Sequence, residues 1–191
     1  MERVLVLYAT QEGQTQKVAS HLGRALSARG VEVETRELGD ATLDLADYEG
    51  VLLAASVHVG GFPPDLVAFV RDHREALEDR HAAFLPVSLS KAVAESVTSP
   101  PERRSEGRAD LAKAVALFLQ ETGWQPAEVH EVAGALPYTR LGFFKRLLLR
   151  GIAGQTGLPT DTSRDHEFTD WVDLDTFADH YERVLRGTAL S

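Results

Sequence analysis

Tyr8-Ala9-Thr10-Gln11-Glu12-Gly13-Gln14-Thr15 joins an aliphatic run, Val4 to Leu7, to a helical pattern that begins at Gln16. A buried strand that ends in a short polar turn and feeds a helix leaves several amide N–H groups unpaired at the positive end of the helix dipole. Such a turn is a ready anion site. Thr10 and Thr15 add a hydroxyl at each end, and Gly13 lets the backbone curl close to an anion with no Cβ in the way. The same residues also read as a structural turn without a ligand, so the rest of the chain has to discriminate.

Two nucleotide patterns are absent. No Gly-Lys-Ser/Thr ending marks a triphosphate loop, and no second or third glycine makes the dinucleotide fingerprint. A turn of hydroxyls and amides with no cation of its own suits a phosphate monoester. Thr10-x-x-Gly13-x-Thr15 after a first strand resembles the flavodoxin phosphate loop, whose ligand is FMN.

The 191 residues are expected to form one domain spanning 1–191, and a chain of this size buries about 70% of its unfolded surface. With no cysteine there is no disulfide framework, thiolate metal site or Cys nucleophile. A net charge of −9 argues against a nucleic-acid partner, which needs a basic face. No apolar run approaches a membrane span, and the start leads directly into a strand, so a cytoplasmic location is expected.

Around the quoted turn the chain reads as βαβ units. Arg3 to Tyr8 is a strand buried on both faces, Val31 to Thr35 an edge strand, and Val51 to Ala55 a second central strand. Pro63-Pro64 opens a helix with a stripe of Leu66, Val67, Phe69, Val70 and Leu77. Ala82 to Leu89 is the fourth strand and Ser90 to Gly107 a long loop. Leu111, Val115, Leu117 and Phe118 carry a helix to Gly123. Glu128 to Ala135 is the fifth strand, and Trp171 to Leu185 a closing helix. The expected fold is α/β, a flavodoxin-like doubly wound five-stranded parallel sheet of order 2-1-3-4-5, with ligand loops beyond strands 1, 3 and 4.

Those loops define the candidate cofactor residues: Thr10, Gln11, Glu12, Gly13, Gln14 and Thr15; Ser56, Val57, His58, Val59 and Gly60; and Ser88, Leu89 and Ser90. A flavin needs apolar slabs for its faces and backbone donors for its polar edge. Gly60 is expected at flavin N5, because a glycine peptide can reorient there. His58 either contacts flavin or substrate or is a solvated loop histidine. The other six histidines show no metal-ligand spacing. Ser88 to Lys91 carries no aromatic slab, which leaves a flavin face open to a substrate.

Between strand 5 and the last helix lies an insertion, about 136–168, too long for an ordinary connection. It holds Arg140, Lys145, Arg146 and Arg150 and, from Leu136 to Thr160, no carboxylate. As a helix it puts Leu141, Phe144, Leu148 and Ile152 on one stripe with Arg146 and Arg150 opposite. A basic amphipathic helix suits a bilayer surface; packing on the sheet or a second subunit, and arginines gripping substrate carboxylates, are the alternatives. A homo-oligomer stays open.

Taken together, Tyr-Ala-Thr-Gln-Glu-Gly-Gln-Thr, Ala-Ser-Val-His-Val-Gly after strand 3, Val-Ala-Gly-Ala-Leu-Pro-Tyr after strand 5, the basic insertion and Phe-Thr-Asp-Trp resemble the flavodoxin-like, quinone-dependent protoporphyrinogen IX dehydrogenases of bacterial haem synthesis. The resemblance implies bound FMN, oxidation of protoporphyrinogen IX, and electrons passed to membrane menaquinone or ubiquinone by a protein peripherally attached to the inner face of the cell membrane. Glu12, where the family often has Asp, and Val59, where it often has Tyr, depart from the pattern. The competing readings are an FMN electron carrier without a small-molecule substrate and a flavodoxin-fold scaffold that has lost its flavin.

Overall fold

The computed structural model describes residues 2–39, 43–58 and 61–187. Strand β1 (Arg3–Ala9) is flanked by β2 (Glu32–Glu37) and β3 (Gly50–Ser56), both parallel to it. Its residues Val4 to Ala9 are buried, as are Gly50 to Ala55 of β3, because crossover helices cover both faces of a parallel sheet. The alternating, polar β2 is the edge. β4 (His81–Ser88) lies beyond β3 and β5 (Glu128–Val129) beyond β4, and the order β2-β1-β3-β4-β5 is the one expected from the sequence.

Two cores fill the space on either side of the sheet. Val18, Leu22 and Leu26 of α1 (Gln14–Ser27) pack with Leu174, Phe177 and Tyr181 of the closing helix against Val4, Val6 and Leu52. On the other face Leu66 and Val70 of α2 (Pro64–Asp72), Leu77 of the short α3 (Arg74–Glu78), and Leu111 and Phe118 meet Leu5, Leu53 and Phe84. The stripe read as one helix is thus shared by two, broken at His73.

The expected loop from Ser90 to Gly107 is instead mostly helical. α4 (Leu89–Glu95) is capped by Ser88, whose hydroxyl accepts from the Lys91 amide at 3.0 Å, and Pro100-Pro101 opens α5 (Pro101–Thr122). The first six residues of α5 bury nothing, so no periodicity announced them. Gly107 is what lets α4 and α5 cross closely: a Cβ there would stand 2.7 Å from the Ser90 carbonyl oxygen.

The fifth strand is also corrected. Glu128 to Ala135 is not continuous: β5 (Glu128–Val129) and β6 (Val132–Ala133) pair separately with β4. β7 (Ala135–Leu136) turns away to pair antiparallel with β8 (His166–Glu167). This turn-out starts the insertion. Its helix α6 (Phe143–Thr156) precedes β8, and α7 (Trp171–Leu185) closes the fold with the bounds expected.

The insertion packs Leu136, Tyr138, Ala153 and Leu158 into a small core with Val93 of α4, with Leu149 and Phe168 at its edge. Tyr138 is fully buried and donates its hydroxyl to the Pro159 carbonyl at 2.9 Å. The far end of α6 is held by Thr98 and Ser99, whose hydroxyls donate to the Gly157 and Thr156 carbonyls.

Candidate functional site

The carboxyl ends of β1, β3 and β4 converge on one cleft of about 1030 Å³, at the upper limit of usual ligand-site volumes of about 300–1,000 Å³. Thr10, Glu12, Gln14, Thr15, Ser56, Val57, His58, Ser88, Leu89 and Ser90 all line it. Gln11 is exposed and Gly13 half-buried in the same turn. Val59 and Gly60, and with them the expectation about flavin N5, lie outside the described residues.

At the turn, the Gly13 amide donates to Thr10 Oγ1 at 3.0 Å, and Gly13 adopts φ 89° as the residue before α1. The helix begins two residues earlier than its apolar pattern suggested, so Gln14 and Thr15 belong to its first turn. No side chain caps it and no carboxylate lies in that turn, in contrast to α4 and α7, capped by Ser88 and Asp170. Thr15, only 1% exposed, lines the cleft beside these free amides.

Residues from the end of the insertion clamp this helix start. Gln14 Nε2 donates to Thr169 Oγ1 at 2.8 Å, and that hydroxyl donates to the Ala133 carbonyl at 2.7 Å. Lys17 pairs with Glu167 at 2.8 Å. Burial raises the Glu167 carboxyl, but hydrogen bonds from Lys17, Gln14 and Trp171 outweigh it and hold the group below the usual carboxylate range.

His58 is half-buried rather than solvated. Its Nε2 lies 2.8 Å from Ser56 Oγ, and its backbone exchanges two hydrogen bonds of 3.0 Å with Gly61. No aromatic slab follows β4, as expected. The wall comes from elements the sequence reading left out of the site, Lys113, Ala114, Leu117 and Phe118 of α5, Pro137, and Leu149 and Ile152 of α6, together with Phe62 at the end of the β3 loop. Leu117, expected in the core, is 54% exposed and faces this cleft. A large apolar residue on the polar side of α5 was the available signal.

The four insertion cations do not form one cluster. The Arg146 Nη2 donates to the Leu141 carbonyl at 2.9 Å, while Lys145 and Arg150 are exposed. Arg140 lies by the turn of Gly13 and faces Asp165 at 3.9 Å. Leu141 precedes α6 and is buried, so it is not on the expected stripe. The helix packs inward through Leu149 and Ala153. Phe143, Phe144, Leu147, Leu148 and Ile152 are 72%, 84%, 56%, 68% and 41% exposed, which overturns packing of that stripe on the sheet of the same chain.

The flavodoxin-domain family model matches residues 5–163. Protoporphyrinogen IX dehydrogenase (quinone) of Leishmania major is 30% identical over 181 residues, 94% of this chain and 74% of that protein. The chain belongs to the flavodoxin-like protoporphyrinogen IX dehydrogenase family. The family member of Escherichia coli K12 is 28% identical over 177 residues, 92% of both chains. Among solved structures, oxidised flavodoxin 1 of Bacillus cereus matches the whole of both chains with a TM-score of 0.52 at 17% identity, a likeness of fold. Membership makes the chain an FMN-dependent oxidoreductase. The site fits that cofactor: an uncapped helix start with two threonine hydroxyls matches a phosphate monoester, and the Val57, Leu89 and Leu117 walls match a flat apolar ring. Among the described residues no helix is long and apolar enough to cross a membrane.

Proposed function

We propose that this family member oxidises protoporphyrinogen IX to protoporphyrin IX and passes the electrons to menaquinone or ubiquinone while resting on the cytoplasmic face of the membrane. The observation that carries this reading is the double role of α6. Leu149 and Ile152 line the cleft, while Ile152 follows Leu148 by one helical turn at the edge of the outward face that carries Phe143, Phe144 and Leu147. An apolar reactant held in lipid can then reach the cleft without crossing water.

By helical spacing, Lys145 and Arg150 flank that outward face on its two sides, where each cation near anionic lipid is worth about 1 kcal/mol. A helix with an apolar face and flanking cations is suited to lie in the interface plane. Both names given to the relatives carry the same substrate and a quinone, which supports the choice of reactants.

In this reading the amides of Gln14 and Thr15, with the hydroxyls of Thr10 and Thr15, hold the phosphate of FMN. Ser56, Val57 and His58 lie beside its ring, with Ser88, Leu89 and Ser90 on the next loop. Bound FMN supplies two-electron chemistry between the macrocycle and the quinone. The protein's share is orientation: Leu117 of α5 and Leu149 and Ile152 of α6 give the cleft an apolar lining against which a planar reactant can lie. His58, hydrogen-bonded through Nε2 to Ser56, lines the same cleft and is held in place at the end of β3.

The test is anaerobic mixing of FMN-loaded protein with protoporphyrinogen IX and a quinone in anionic vesicles. Porphyrin fluorescence that grows only when protein and quinone are both present supports the proposal. A rate equal to the protein-free control overturns it.

A further inference from the structure

The turn at Gly13 lacks a cation in its own sequence, yet one stands over it. Arg140 Nη1 lies 3.0 Å from the point where a Cβ on Gly13 would sit, so the guanidinium comes closer to this backbone than an ordinary side-chain contact would let it. The guanidinium is brought there by a rigid support. Tyr138–Arg140 forms a 3-10 turn anchored by the buried Tyr138, and the Asp165 carboxylate accepts from both the Thr139 amide and the Thr139 hydroxyl at 2.8 Å.

Asp165 faces Arg140 Nε at 3.9 Å, too long for a hydrogen bond, and is the residue's one ion pair among the described residues. The fork of N–H donors is therefore uncommitted. It adjoins the uncapped start of α1, where the backbone amides already present positive partial charge. Like-signed groups held together in this way are stabilised when an anion enters between them.

We propose that Arg140 is the counter-ion of the cofactor phosphate and makes this site select FMN over riboflavin, with Asp165 as the positioning residue that aims it. The assignment rests on the reading that FMN binds at the Thr10 to Thr15 turn. It differs from a role for Arg140 at the membrane, and it separates this cation from Lys145 and Arg150. Because Arg140 stands where the insertion leaves the sheet, a bound phosphate also joins that segment to the start of α1. Riboflavin, which lacks the phosphate, makes no such link.

The experiment measures quenching of flavin fluorescence on titration with apoprotein, for FMN and riboflavin, using wild type, Arg140→Gln, Arg140→Lys and Asp165→Asn. Arg140→Gln is expected to weaken FMN about tenfold, the lower part of the range for a charge-assisted contact because the guanidinium is half-exposed, and to leave riboflavin unchanged. Arg140→Lys keeps part of the FMN preference, and Asp165→Asn loses part of it. Equal FMN affinity in wild type and Arg140→Gln overturns the proposal, as does an equal loss for both flavins, which marks a structural role. Wild-type protein that binds neither flavin overturns the underlying site reading itself.

Discussion

Replacing Phe144 and Leu148 together by serine isolates the outward face of α6. In the free protein these side chains are 84% and 68% exposed, so their removal leaves little packing to lose and should change folding stability by no more than about 0.5 kcal/mol. For a chain of this size that is a melting shift of at most about 2 °C. Immersed in a bilayer interface, the same two side chains would each lose roughly 1.5–3 kcal/mol of burial at full depth. Partial immersion makes about 3 kcal/mol for the pair, a loss of about 100-fold in partition. Co-sedimentation with vesicles containing anionic lipid measures the partition, and a thermal melt of the same variant measures the fold. Unchanged vesicle binding would refute the lipid assignment. A melting point lowered by about 10 °C would show that the face is packed in solution.

Three further outcomes are expected. Gly13→Ala forces a left-handed residue with a Cβ, at a cost of about 1–2 kcal/mol, and sets a methyl against Arg140, so both melting temperature and FMN affinity should fall; wild-type values for both would contradict the turn geometry. Tyr138→Phe leaves the Pro159 carbonyl without its donor, costing about 1 kcal/mol, and should speed tryptic cleavage between Lys145 and Arg150 before the sheet is lost; a digestion pattern like wild type would rule out Tyr138 as the anchor. Glu34 is held below its ordinary 4.5 chiefly by the Tyr48 hydroxyl, against an opposing effect of burial, with Arg36 and Arg3 adding to the lowering. Since the folded-state value is depressed, this stabilisation is complete above about pH 4.5 and disappears as pH falls through the lower, folded-state value. Glu34→Gln should therefore show a shallower loss of stability in that acid window, and an identical pH slope would exclude the linkage.

Much of the candidate site was legible because it is local. Thr10, Gly13 and Thr15 sit within one turn, and a glycine between an apolar run and a helix announces itself by spacing. Ser56, His58, Ser88 and Ser90 followed from strand order alone, since the carboxyl ends of neighbouring parallel strands share an edge. The misses have a common physical origin. The first turns of α5 bury nothing and so carry no period. The fifth strand contains residues apolar enough to read as continuous, while its edge pairing with β4 is only two residues long at each contact. The exposure of Leu117 reflects a cleft wall, which looks like a core position in any residue-by-residue pattern.

Apolar runs and turn residues were sufficient to specify a five-stranded α/β sheet, its strand order and a glycine-bearing first turn that leads into a helix, because burial on two faces and left-handed backbone leave marks on consecutive residues. They could not say which face of α6 turns inward. A helical period reveals that a helix has faces and nothing about what each one touches, and here Leu149 and Ala153 turned inward while the two phenylalanines turned out. Nor could they bring Arg140 to Gly13. That meeting depends on β7 leaving the sheet and Tyr138 burying beneath the insertion, contacts between segments far apart in the chain, whose geometry exists only once the whole fold has closed.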